Sequence, residues 1–148
     1  MAKEGFNIVI VARNEDKMKE KIQEIKAECG RTDFMGEYVI ADFGKLCTIE
    51  EYKTQIADKL KDKSVGVLVL NAGTNVMGPF KDVTDKEIER TVNVNAIHPI
   101  YMIKTMVPQL LERYEKTKTK CAIIVTSSGL GARPISGTVS YSASKSFS

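Results

Sequence analysis

Val65-Gly66-Val67-Leu68-Val69-Leu70-Asn71-Ala72-Gly73 is the stretch whose reading decides the fold. Its first six residues are almost continuously apolar, which suits a strand buried on both faces, as in a parallel sheet. Working outward, strand and helix signals alternate in both directions. Upstream, residues 6–12 read as a buried strand and residues 38–41 end another. Between them, Asn14 is placed to N-cap a helix with an apolar stripe at Met18, Ile22, Ile25 and Cys29, and Gly30 is its stop. Thr48 with Glu51 makes a capping box for a helix that turns Ile49, Tyr52, Ile56 and Leu60 inward. Downstream of the central strand, Thr84 with Glu87 caps a helix carrying Ile88 and Val92 towards Asn95. Residues 121–126 are the last strand-like run. Such alternation predicts an α/β domain with a parallel sheet, one domain over residues 1–148.

Composition narrows the function classes. A hydrophobic fraction of 43% with 28% charged residues is ordinary for a globular chain. A net charge of +3 is too small and too dispersed to argue for nucleic acid. The densest basic cluster, Lys116, Lys118 and Lys120, reads as a solvated turn before a strand. Cys29, Cys47 and Cys121 are odd in number and lack metal-ligand spacing, which suits a reducing compartment and predicts no metal site. The longest apolar runs, 8–12 and 65–70, are far short of a membrane span.

Chemistry concentrates near the end of the chain, in Tyr141-Ser142-Ala143-Ser144-Lys145. Four residues apart on a helix, a phenol and an ammonium share one face, with Cβ atoms about 5–6 Å apart. An ammonium beside a phenol favours the phenolate, so such a Tyr is suited to giving a proton to a carbonyl oxygen or taking one from an alcohol. Alone the spacing is weak, because most instances are an exposed Tyr beside a solvated Lys. Here it follows a strand and the pair Ser127-Ser128. Asn95 adds a second local signal. Pro99 lies four residues on and has no N–H, so the Asn95 carbonyl loses its helical partner and is available to hold a water. The competing reading is that Pro99 ends one helix and starts another. Pro108 reads as a structural kink, and the lone His98 as a packing or surface residue.

In this order, Asp42 after a strand, Asn71-Ala72-Gly73 after the next, Asn93-Val94-Asn95 on a helix, then Ser128 and Tyr141/Lys145, the sequence resembles the short-chain dehydrogenase/reductase family. The resemblance covers essentially the whole chain. It implies a Rossmann-like, doubly wound parallel α/β sheet and an NAD(P)-binding domain. It also implies Ser128 and Tyr141 steadying and protonating the substrate oxygen, Lys145 binding the nicotinamide ribose and tuning Tyr141, and Asn95 holding a water in the proton relay. Ser128 fits the family spacing better than Ser127, and Asn95 better than Asn93. On the cofactor side, Arg13 stands where NAD-selective folds carry an acidic residue, and an Arg there clamps a 2′-phosphate. That makes the expected cofactor NADPH (NADP). The bland alternative is an exposed strand-end Arg. Asp42 resembles the family's adenine contact, or else is a helix-capping carboxylate. Asn71, Ala72 and Gly73 resemble its adenine-side turn, or else simply leave a strand.

Part of the family pattern is missing. The glycine-rich phosphate turn after a first strand is not found, and Gly129-Leu130-Gly131-Ala132-Arg133-Pro134 is rejected as its substitute because Pro134 stands where a third Gly belongs. The expectation is therefore an incomplete sheet, a fragment starting after the phosphate loop and ending before the last strands. Such a fragment would neither bind NADPH tightly nor fold into a stable monomer.

The stretches around residues 6–14, Asn95 and 123–129 look most like the 17β-hydroxysteroid dehydrogenase and very-long-chain 3-oxoacyl-CoA reductase branch, with 3-dehydrosphinganine reductases competing. That branch implies endoplasmic-reticulum enzymes anchored through an N-terminal segment; the chain as written would be cytoplasmic. The expected partners are a small-molecule carbonyl or alcohol substrate and a second copy in a homo-oligomer, with no nucleic acid. The expected function is NADPH-dependent reduction of a 3-oxoacyl-CoA or keto-steroid-like carbonyl. The alternative is an inactive truncated form, or a binding-only remnant that pairs with an intact subunit.

Overall fold

A computed structural model describes residues 1–147. Two compact units divide the chain at Asp42 and Phe43. In the first, β1 (Ile8–Ala12) lies parallel to β2 (Gly36–Ile40), with Ile8 opposite Gly36 and Ala12 opposite Ile40. Helix α1 (Glu15–Cys29) makes the crossover. The Asn14 side chain accepts from Lys17 N at 2.9 Å, capping α1 as expected, and Gly30 ends it with φ 66°. Met18 and Ile22 are its buried residues. The absence of a side chain at Gly36 lets α1 sit down on β2, because a Cβ there would fall 2.4 Å from Ile22 Cγ2.

The second unit begins with a helix over 49–60. It comprises α2 (Ile49–Tyr52), a π-helical stretch (Lys53–Ala57) and α3 (Asp58–Leu60). Strand β3 (Val67–Leu70) follows. A long helix then runs through α4 (Asp85–Val92), a second π-helical stretch (Asn93–Ile97) and α5 (His98–Thr117). It leads into β4 (Ala122–Val125), parallel to β3 with Val67 opposite Ala122 and Leu70 opposite Val125. A short helix, α6 (Gly129–Ala132), and α7 (Val139–Ser146) complete it. Both capping boxes read from the sequence form, at Thr48/Glu51 and Thr84/Glu87.

Burial follows the expected stripes with exceptions. β1, expected as a buried strand, has five half-buried residues, and Phe6 before it is exposed. Tyr52, Ile56 and Leu60 are buried with Met102, Met106 and Leu110 of α5. Ile49, however, is exposed, because it occupies the first position of its helix, before the stripe comes round to the core. Val92 is also exposed, and Thr91 takes the buried position beside it. β3 is buried on one face only: Leu68 and Leu70 point in and Val69 out.

Candidate active site

Pro99 is absorbed without breaking the helix. At the π-helical stretch the chain widens by one residue, so that His98 N donates to Asn93 O, a five-residue step. Such insertions recur at functional sites. Here it carries Asn95, whose side chain is fully buried. The Asn95 Oδ1 accepts from Thr74 N at 2.9 Å and Nδ2 donates to Thr74 O at 2.8 Å, so the carboxamide grips the turn leaving β3. Nδ2 donates as well to Ser144 Oγ at 3.0 Å.

Tyr141 and Lys145 both lie on α7, as their spacing requires. Lys145 is 6% exposed, and its Nζ donates to Thr126 O at 2.8 Å. Thr126 continues β4, with its N–H on Leu70 O at 2.9 Å and its hydroxyl on Asn71 Oδ1 at 2.9 Å. Thus the exits of β3 and β4 are laced together under the ammonium. Ser127 Oγ donates to Lys145 O at 3.2 Å. Ser128 N-caps α6, accepting from Leu130 N at 3.3 Å. Gly131 allows α6 to touch α7: a Cβ there would lie 2.6 Å from Lys145 O. The first four residues of the stretch rejected as a phosphate cradle are therefore helical and packed on α7.

A Cβ placed on Gly73 would lie 3.6 Å from Asn95 Oδ1 and 3.8 Å from Lys145 Nζ. The 71–73 turn, Asn95 and Lys145 thus converge, in a layout with β-strand exits on one side and α7 on the other. In the first unit, Arg13 and Asp42 follow neighbouring strand ends, since Ala41 N donates to Ala12 O at 3.0 Å. Arg13 is exposed and Asp42 half-buried.

Beneath the second unit's site, His98 is buried and stacks on Phe43 with ring centroids 3.6 Å apart. Burial, helped by the positive charge of Lys145, pushes its pKa down to about 4, so it is neutral at physiological pH. Burial likewise pushes the Tyr52 phenol up. The packing role expected of His98 is the one it has.

Sequence reading missed Thr74, Thr126 and Ser144. The last stands inside the stretch quoted for Tyr141 and Lys145, three residues after the Tyr, and only the fold reveals its partner.

The profile described as short chain dehydrogenase matches residues 1–148. The chain belongs to the short-chain dehydrogenase family. It is 30% identical over 149 residues to the inactive hydroxysteroid dehydrogenase-like protein 1 of Homo sapiens, covering 99% of this chain and 42% of that protein. To the very-long-chain 3-oxoacyl-CoA reductase of Anas platyrhynchos it is 31% identical over 151 residues, covering 99% and 45%. The chain spans less than half the length of these curated relatives. Among solved structures, a metagenomic short-chain oxidoreductase in complex with NADP superposes with a TM-score of 0.81 at 23% identity, covering 99% of this chain and 62% of that one. The bulky-bulky ketone specific alcohol dehydrogenase of Comamonas testosteroni gives a TM-score of 0.76 at 26% identity, covering 99% and 54%. The fold is the Rossmann-like α/β fold of this family.

The residues present fit a nicotinamide cofactor. Lys145 Nζ spends one of its three protons on Thr126 O and has no other hydrogen bond among the described residues, which leaves donors for a ribose diol beside Gly73. Among the described residues, no helix is long and apolar enough to cross a membrane.

Proposed function

We propose that the protein is an NADPH-dependent reductase of a long-chain 3-oxoacyl-CoA or keto-steroid-like carbonyl. The observation that carries this reading is the buried Lys145 ammonium, four residues from Tyr141 on α7 and close to both Gly73 and Asn95. Bound NADPH would supply the hydride to the carbonyl carbon. Tyr141 gives its hydroxyl proton to the carbonyl oxygen, so that the ketone becomes an alcohol. Ser128 hydrogen-bonds the same oxygen and orients it. Lys145 holds the ribose hydroxyls beside the reacting phenol. Asn95, in the π-helical stretch ahead of Pro99, holds the water that returns the proton.

On the cofactor side, Arg13 is assigned to the 2′-phosphate, and Asp42 with Asn71, Ala72 and Gly73 to the adenosine portion. The exposed Arg13 guanidinium has no ion pair or hydrogen bond among the described residues, which supports a ligand role. On this reading the full-length protein works at the endoplasmic reticulum, as the resemblance to the 3-oxoacyl-CoA reductase branch supports, and a homo-oligomer is its expected assembly.

A second reading draws support from the human relative, which is named an inactive hydroxysteroid dehydrogenase-like protein. In that reading the chain is an inactive truncated form, or a binding-only remnant that pairs with an intact subunit, and turns nothing over. Measuring NADPH consumption with a long-chain 3-oxoacyl-CoA and with a keto-steroid separates the two. Turnover that Tyr141→Phe lowers by roughly 10²–10⁴-fold, with NADPH affinity kept, supports the reductase. Retention of a tenth of the rate assigns the proton to another acid. NADPH binding without turnover of either substrate supports the binding-only form.

A further inference from the structure

We propose that Ser144 is a positioning residue: its hydroxyl fastens α7 to the Asn95 carboxamide and so sets Tyr141 and Lys145 against the turn at Gly73. The proposal rests on Tyr141 and Lys145 being the reacting pair.

Ser144 is buried, at 4% exposure, and has two partners. Its hydroxyl donates to Tyr141 O at 2.8 Å, the back-bond that a helical Ser commonly makes. Its oxygen accepts from Asn95 Nδ2 at 3.0 Å, from a residue 49 positions earlier. The first bond orients the hydroxyl so that its lone pairs are offered to Asn95. The second carries information across the fold.

Asn95 is held independently of Ser144. Its carboxamide exchanges two hydrogen bonds with the main chain of Thr74, at 2.9 and 2.8 Å. A carboxamide is planar, so the direction of its remaining Nδ2 proton is fixed once those two bonds form. That proton meets Ser144. The turn leaving β3 therefore dictates where residue 144 of α7 must stand. Ser144 lies between Tyr141 and Lys145 in sequence, so rotation of α7 about its axis would displace all three together.

The restraints on the β4 side act at Lys145, through Nζ on Thr126 O and through its carbonyl under Ser127 Oγ, and at Ser146, whose hydroxyl donates to Gly131 O. Ser144 supplies a restraint from the opposite side, at the π-helical stretch against which α7 packs. Convergence at Gly73 shows the outcome. A Cβ on that residue would find Asn95 Oδ1 at 3.6 Å and Lys145 Nζ at 3.8 Å. Without the Ser144 oxygen, Asn95 Nδ2 loses this acceptor, and the bond that ties α7 to the carboxamide is gone. A displacement of about 1 Å at a reacting group is enough to cost up to roughly 10²-fold in rate.

The test uses the full chain with NADPH and a long-chain 3-oxoacyl-CoA, comparing wild type, Ser144→Ala and Ser144→Thr. It adds NMR of the Asn95 side-chain NH₂ and of tyrosine labelled at Cζ. Ser144→Ala is expected to lower kcat about tenfold with KM changed less than about twofold, to move the Asn95 NH₂ and Tyr141 Cζ resonances, and to leave cooperative melting intact. Ser144→Thr, which keeps the hydroxyl, is expected to restore at least about half of kcat and the wild-type resonances. Unchanged kcat in Ser144→Ala overturns the proposal. So does an equal loss in the Ala and Thr variants accompanied by loss of cooperative melting, which marks a merely structural residue. Should wild type show no turnover, the proposed reductase function fails, and the resonances alone decide: Asn95 and Tyr141 signals that do not move in Ser144→Ala refute the positioning role, and signals that move and return in Ser144→Thr sustain it.

Discussion

Lys145 Nζ donates to the main-chain oxygen of Thr126 at 2.8 Å, so an ammonium on α7 is anchored to the exit of β4. Two consequences meet at this bond. The carbonyl fixes where the charge sits, and the charge stays buried with two protons directed elsewhere. Lys145→Met keeps the length of the side chain and removes both. It is expected to raise the KM for NADPH and lower kcat by at least about tenfold, because the ribose contact and the group that orders the reacting site are lost together. Steady-state kinetics that show a KM effect alone would confine Lys145 to binding.

Arg13 allows a cleaner separation, because it is exposed and its replacement need not disturb the fold. Arg13→Asp exchanges a phosphate clamp for a repelling charge. The expected result is a fall in kcat/KM with NADPH of roughly 10–100-fold, against a change with NADH of less than about threefold. Equal losses with both cofactors would remove the 2′-phosphate assignment.

The contact between α6 and α7 is close enough to have a measurable penalty. At Gly131 an added Cβ would lie 2.6 Å from Lys145 O and 2.9 Å from Ser146 N, both main-chain atoms that a rotamer change cannot move. Gly131→Ala is therefore expected to destabilise the fold by about 1–3 kcal/mol and to displace Lys145. Gly129→Ala is the control. Nothing lies within 4 Å of its Cβ position, and Ala is the better helix former, so stability should be unchanged or slightly higher. Urea melts of the two variants that coincide would refute the close packing of α6 on α7.

How far the sequence alone reached follows from the range of each interaction. The capping boxes at Thr48/Glu51 and Thr84/Glu87 and the Asn14 cap close within one helical turn, so their residue types and spacing suffice. The Tyr141/Lys145 pair is of the same kind. Pro99 announced a lost hydrogen bond near Asn95, yet not that the helix would widen into a π-helical stretch rather than break. The Asn95–Ser144 and Lys145–Thr126 bonds span 49 and 19 residues and leave no periodic signal. The same holds for exposure: Ile49 and Val92 fit an apolar stripe, and only the packing shows that neither is covered.

His98 makes the core itself acid-sensitive. Its pKa of about 4 lies below the ordinary value because burial penalises the imidazolium and Lys145 repels it. Below about pH 6.5 the unfolded chain takes up a proton that the folded chain refuses down to about pH 4. Bound protons then favour unfolding. The contribution of neutral His98 is complete above about pH 6.5 and is lost as the pH falls through that window, at most roughly 3 kcal/mol. Carboxylates held low by capping, Glu51 and Glu87, titrate in the acid range too, so a reference is needed. His98→Phe keeps an aromatic ring against Phe43 and removes the titrating group. Urea melts at pH 7 and pH 4.5 should show wild type losing stability over this interval and His98→Phe losing clearly less. His98 is the chain's single histidine, so its imidazole resonance can be followed without assignment. The midpoint is expected near 4 in wild type, and Lys145→Met should move it upward by removing the repelling charge. A midpoint close to 6.5 in the folded protein would mean that the ring is solvated and that the stack on Phe43 does not hold it.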